Sequence, residues 1–348
     1  MLKTDLIKGN ILPSLVIFAI PLIISNVFQQ LYNTADIMIV GHYLGDTSLA
    51  AIGASTVIFE LLVGFTLGFG NGLSIVVARN FGSGNKEAIK KSVALSLIIG
   101  LSITIIITIG SRFFLYPLLK ALKTPELILN ESYVYISTIT LFIVVMFGYN
   151  LCAGLLRAIG NSFAPLVFLV ISSLLNIVLA IFFIAHMKMG INGAAIATAI
   201  AQGISVILCL FYIKNKAKIL IPNKKHFEND KILYKELISQ GLSMALMSSI
   251  VSLGSVVLQS SINNLGFLTI AGHSAARKLF GLSIIPFFAL GTALSTFVSQ
   301  NRGAEKGDRI VKAVKYANII GITWSLFVFI VLMFTARFFI HIISGSEE

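Results

Sequence analysis

Nine apolar runs, near 11–40, 49–78, 92–111, 132–156, 163–186, 191–213, 236–262, 268–299 and 316–343, are each long enough to cross a bilayer as a helix. A span takes about 20 residues at a rise of about 1.5 Å each. In hydrocarbon every backbone N–H and C=O must be satisfied internally, which leaves helices and closed barrels as the spanning structures. Runs alternating apolar and polar residues are absent from the sequence, which excludes a barrel. Composition agrees: 57% of the 348 residues are hydrophobic and 11% charged, where soluble domains carry about 25% charged residues. The first run follows Lys3 and Lys8 but is too long for a signal-peptide core and lacks a clear cleavage site, so it counts as the first span. The expectation is an all-α integral membrane protein with about nine transmembrane helices.

The net charge of +12 raises the question of nucleic acid. Its distribution answers it. With a cytoplasmic N-terminus and alternating loops, 19 of the 26 Lys and Arg residues fall in cytoplasmic loops and helix ends, and five fall outside. The cytoplasmic set includes seven between Lys214 and Lys235 and five between Arg302 and Lys315. This positive-inside asymmetry accounts for the charge and sets the topology. The lipid bilayer is the expected partner, and nucleic acid is not. Only Arg277 and Lys278 remain, inside the eighth span.

Cys152 and Cys209 lie in apolar helices and behave as small hydrophobes. The five histidines are scattered, so no zinc or haem centre is expected. Gly64, Gly68, Gly70 and Gly72 suit helix packing. No strand precedes them, and no G-x-x-x-x-G-K-[ST] occurs in the chain. Without a nucleotide site, transport would draw on an ion gradient or on a separate subunit, and no enzyme chemistry is indicated.

The chain repeats itself. Shifted by 221, the segment 44–91 matches 265–312 at 14 of 48 positions without a gap, including Leu44/Leu265, Gly45/Gly266, Asn80/Asn301 and Gly82/Gly303. Six spans fit inside one repeat, and an even number returns the chain to its starting side. The halves are therefore parallel repeats about an axis along the membrane normal. The expected organisation is a six-helix lobe at 1–213, a lysine-rich cytoplasmic linker at 214–235 and a three-helix half of the second lobe at 236–348. Position 348 corresponds to position 127 of the first half. On this reading the chain is truncated by three helices or belongs to a degenerate gene.

Asp36 is the strongest chemical signal. Ser25, Gln29 and Asn33 lie eleven, seven and three residues before it, a polar stripe on one helix face. An ionised carboxylate at membrane depth is costly and marks an ion or substrate path, although polar stripes also serve only to hydrogen-bond neighbouring helices. Pro21, fifteen residues before Asp36, removes a backbone hydrogen bond and permits a bend, as suits a moving helix and as also occurs in static ones. Glu60 continues a face with Gly64, Gly68 and Asn71, and has two readings: a cavity acid holding a cationic substrate, or a protonated acid bonded to a neighbouring helix. Arg277 and Lys278 lie about 15 Å into their helix, where they either snorkel to the outer headgroups or line a cavity. Their repeat-related positions, Thr56 and Val57, are one turn from Glu60, so a contact between Glu60 and either base is geometrically reasonable.

The run Gln29-Gln30-Leu31-Tyr32-Asn33-Thr34-Ala35-Asp36, followed by Val40-Gly41-His42-Tyr43-Leu44-Gly45, resembles the first-helix motif of the multidrug and toxic compound extrusion (MATE) family. Phe297-Val298-Ser299-Gln300-Asn301-Arg302-Gly303-Ala304 resembles the same family at the end of its eighth helix. The resemblance implies twelve helices in two six-helix lobes, with efflux of organic cations and other toxic compounds against sodium or protons. It also implies a cation site at Asp36, with Asn150 of the fourth span, Asn176 of the fifth and Thr198 of the sixth. Depth counting puts Asp36 and Thr198 in the outer part of the bilayer and Asn176 near its middle, with Asn150 nearer the inner side. Many relatives carry an aspartate one turn after the fifth-helix asparagine, where this chain has Ala180. A seventh-helix glutamate used by another branch is not matched, since Glu236 lies at the cytoplasmic end.

The expected function is a cation-coupled antiporter of a bacterial plasma membrane that exports small organic, mainly cationic molecules as a monomer. Sodium or a proton is the coupling ion, with no other cofactor and no metal beyond sodium at Asp36. The substrate cavity is assigned to Glu60, Gln29, Asn33, Arg277 and Lys278, with Pro21 as hinge. The alternatives are a lipid-linked precursor flippase of the wider superfamily and a non-transporting remnant.

Overall fold

The computed structural model describes residues 3–228, 230–263 and 267–344. Among these residues nine α-helices follow one another: α1 (Ile11–Gly82), α2 (Lys86–Ala121), α3 (Glu126–Leu141), α4 (Ile143–Ala158), α5 (Phe163–Ile181), α6 (Ile191–Lys216), α7 (Lys231–Asn263), α8 (Phe267–Gly303) and α9 (Gly307–Ser344). They do not map one to one onto spans. α1 is two limbs joined at Gly45, whose φ of 79° and ψ of −173° interrupt the helix, a conformation that glycine reaches without a Cβ penalty. The limbs return to the same end, because the Lys3 ammonium sits 5.1 Å over the Phe81 ring. α3 and α4 are bent by 47° at Phe142 and cross together. A turn of π-helix, Phe182–His186, extends α5. Counting the limbs of α1 separately and the α3–α4 pair as one gives nine spans among the described residues.

The segment between α6 and α7 differs from the expected linker in two ways. The linker is shorter than 214–235, since α6 runs to Lys216 and α7 starts at Lys231. It is also ordered. His226 is fully buried; its Nδ1 accepts from the Asn223 N–H at 2.8 Å, and its Nε2 lies 3.0 Å from Glu87 Oε2 in the first turn of α2. Hydrogen bonds from Lys225 and then His226 hold the Glu87 carboxyl below its usual range. At the N-terminus, Leu6, Leu15 and Phe18 are buried with Phe297 and Ala313 of the second half. Leu6 and the start of α1 therefore pack on the second half of the chain.

The two halves meet along a seam that obeys the repeat. A Cβ on Gly82 would collide with the Gln300 backbone, and one on Gly303 with the Arg79 backbone. Residues 79 and 300, like 82 and 303, are 221 apart, so the two contacts are images of each other. The same relation links Gly68 and Gly72, pressed on Ala245 and Gly241 of α7, to Ala289 and Ala293, buried against Phe18 and Leu22 of α1. Small residues at these positions let the helix backbones approach closely, which is where van der Waals packing in a membrane is gained. The second family-like motif staples this seam: Asn301 Nδ2 donates to Leu6 O at 3.0 Å, and Gln300 Nε2 to Ala158 O at 2.8 Å. Contact reaches outward to Gly64, 3.6 Å from Ser252 for a built Cβ. One turn beyond, Glu60 is exposed.

Candidate functional site

The part of the first limb of α1 nearer Gly45 turns Tyr32 and Asp36, one helical turn apart, toward α5 and α6. There the Thr198 hydroxyl is a hub. It accepts from the Tyr32 hydroxyl at 3.1 Å and from Asn176 Nδ2 at 3.2 Å, and lies 3.1 Å from Ala194 O and 3.5 Å from Asp36 Oδ2. A threonine hydroxyl has one proton and two lone pairs. Both lone pairs are used, and the single proton has the backbone carbonyl as its nearer acceptor. The Asp36 carboxylate is approached by the Tyr32 and Thr198 hydroxyls, the latter at 3.5 Å from Oδ2. Its Oδ1 and the Asn176 Oδ1 are buried with no hydrogen-bond partner. A buried oxygen without a donor costs about 1–3 kcal/mol, and more when it is charged. The pocket is rich in oxygen acceptors and short of donors, which fits a hard monovalent cation or a proton on the carboxylate.

Asp36, Asn176 and Thr198 thus come together as the resemblance implied. Asn150 does not join them. It packs on Gly70 of the second limb of α1, and no hydrogen bond ties it to the Asp36 group. The reason is depth: Asn150 is eight residues from the Ala158 end of α4, while Asp36 is nine residues from the opposite turn at Gly45. Gln29 and Asn33 are half-buried and make no hydrogen bond to the site. Pro21 is buried, and α1 remains helical through it, with Ser25 Oγ donating to Pro21 O at 2.8 Å. Glu60, Arg277 and Lys278 are all exposed, and no ion pair joins Glu60 to either base.

Two participants were missed in the sequence. Tyr32 sits within the quoted motif, four residues before Asp36, and only that spacing signalled it. Glu236, set aside as a cytoplasmic-end acid, takes both guanidinium nitrogens of Arg79 across the seam, the second at 2.8 Å. Beside this pair lies a cavity of about 400 Å³ bordered by Gln240, Ser299 and Arg302. The bidentate pair joins the two lobes at the end where the N-terminus lies.

Ala180, one turn after Asn176, is fully buried. Ala180→Asp adds a second carboxylate near the unpartnered oxygens, and hard cations gain from added oxygen ligands and charge. Sodium binding, followed by titration of the purified protein, is expected to tighten about tenfold, equivalent to about 1.4 kcal/mol. Unchanged affinity places position 180 outside the site.

Known proteins agree with this architecture. The MatE family model matches residues 21–182 and 243–348. A "Probable multidrug resistance protein YpnP" of Bacillus subtilis is 30% identical over 308 residues, covering 88% of this chain and 68% of the relative. The "Multidrug export protein MepA" of Staphylococcus aureus is 22% identical over 311 residues, with the same shares covered. A solved "Outward-facing conformation of a multidrug resistance MATE family transporter of the MOP superfamily" superposes with a TM-score of 0.91 at 24% identity, over 99% of this chain and 77% of that one. The chain belongs to the MatE family of multidrug transporters.

Proposed function

We propose that this chain is an antiporter of a bacterial plasma membrane that exports small organic molecules, cations among them, in exchange for sodium ions or protons. The observation that carries this reading is the pair of buried, donor-less oxygens on Asp36 and Asn176, bridged by Thr198. The relatives' names, both of them multidrug proteins, support the substrate class. The lysine and arginine asymmetry supports a cytoplasmic N-terminus.

In this orientation the seam from Gly82 to Gly64 closes the cytoplasmic side, and the cleft beyond Glu60 opens outward. A cation bound at Asp36 draws α1 toward Asn176 on α5 and Thr198 on α6, favouring one packing of the first lobe. Its release favours another, with Pro21 as the point where α1 can bend. Such a switch needs differential affinity for the two states, about 1.4 kcal/mol for each tenfold shift. One carboxylate–cation contact at membrane depth supplies that readily. The protein works as a monomer and needs no nucleotide.

The test is reconstitution in liposomes with a fluorescent organic cation inside oriented vesicles. An opposing sodium gradient or proton gradient is expected to drive the dye against its own gradient. Movement under neither gradient overturns the antiport reading.

A further inference from the structure

Three charged side chains outside the Asp36 site lie exposed at membrane depth: Glu60 on α1, and Arg277 and Lys278 on α8. None forms an ion pair among the described residues. Charges at such depth are too costly to leave in hydrocarbon, so they face a bundle interior or a watery cavity. Helix periodicity identifies which. Glu60 is one turn from Gly64, which faces Ser252 of α7 across the seam. Lys278 is eleven residues before Ala289, about three turns along the same face, and Ala289 is buried in the seam against Phe18 and Leu22. Both residues therefore continue inter-lobe faces beyond the last contact among the described residues, and both are exposed.

Their levels nearly match. The repeat places Lys278 at the level of Val57, three residues from Glu60, or about 5 Å along the helix. One wall of the cleft thus carries an acid and the other a base, Lys278, with Arg277 beside it about 100° round the same helix. His273, one turn beyond Arg277, adds a buried Nε2 with no hydrogen-bond partner. A simple cation drawn to Glu60 is repelled by the facing pair. A molecule bearing both charges satisfies both walls, and unmatched charges discriminate against the rest. Closing the outer mouth strips water from all three groups, which is costly unless each finds a partner.

We propose that the cleft takes amphiphilic zwitterions, with the cationic group on Glu60 and the anionic group on Lys278 and Arg277. This inference rests on the export reading and adds a second required charge to the substrate.

The experiment compares rhodamine B, zwitterionic at neutral pH, with its ethyl ester, which lacks only the carboxylate charge. Fluorescence anisotropy is read on the protein in lipid nanodiscs. Rhodamine B is expected to bind roughly tenfold tighter than the ester. Arg277→Gln with Lys278→Gln should weaken rhodamine B to the level of the ester and leave the ester unweakened. Lys278→Arg, which keeps the charge, should retain the preference and guards against a folding defect. Glu60→Gln should weaken both dyes. Displacement of rhodamine B by short-chain phosphatidylethanolamine assigns the natural zwitterion to a lipid headgroup, and no displacement assigns it to a soluble amphiphile; both outcomes support the proposal. Equal affinities for the two dyes, or a preference that survives the double substitution, overturn it. In that case ion-driven movement of the ester still upholds the export reading. Binding of both dyes as expected, with no ion-driven movement of either, sinks that reading alone.

Discussion

Asp36→Asn is expected to abolish ion-driven efflux while the protein still folds and inserts. The substitution keeps the shape of the side chain and removes its charge. It also supplies an amide donor to a pocket with two unpartnered oxygens, Asp36 Oδ1 in the wild type and Asn176 Oδ1. Thermal stability in detergent is therefore expected to hold or rise, by up to about 1 kcal/mol if one buried oxygen gains a hydrogen bond. Efflux should fall to the level of cells without the protein, because a neutral amide cannot alternate between a cation-loaded and an empty form. Loss of efflux together with retained or increased stability separates a coupling role from a structural one. Drug accumulation in intact cells, read beside a melting curve of the purified variant, checks both halves.

The second large effect is expected at the seam. Arg79 and Glu236 form a two-pronged pair between lobes, each side chain about a third exposed, at 33% and 28%. Charge-assisted bidentate pairs are strong, but this degree of solvent access reduces the contribution to roughly 1 kcal/mol. That corresponds to about a fivefold shift between the closed and open states of this end. Arg79→Gln or Glu236→Gln should open it, and the swap Arg79→Glu with Glu236→Arg should close it again. Cysteine placed at Ser299, on the cavity beside the pair, reports the change. Its alkylation by a small maleimide should accelerate about fivefold in each single variant and return toward the original rate in the swap. An unchanged rate in the single variants removes the pair from the gating of this end.

The spans were the most legible part of the molecule, because a bilayer demands unbroken apolar runs and hides few alternatives. Their ends were less so. The third run was placed at 92–111, but α2 extends over Lys86–Ala121, since the polar cap at Asn85 and the basic and aromatic ends remain helical beyond the apolar stretch. The bend at Phe142 had no proline or glycine to announce it. At the site, Asp36, Asn176 and Thr198 were reachable through family-like motifs, and Tyr32 through its spacing from Asp36. Asn150 failed on depth, which a helix count had already placed toward the inner side. The Arg79–Glu236 pair was out of reach, because it depends on how two lobes dock. The shift of 221 revealed the symmetry and left open which faces it joins. Only the folded structure places Gly82 on Gln300 and Gly303 on Arg79.

Infrared difference spectroscopy of the reconstituted protein, comparing cation-loaded with cation-free samples across a pH series, observes the central carboxylate itself. If Asp36 carries the coupling ion, a carboxyl band shifts when sodium binds or the proton leaves, and this band is missing from the Asp36→Asn spectrum. The same band change in wild type and Asp36→Asn would mean that another group takes the ion, and would contradict the account.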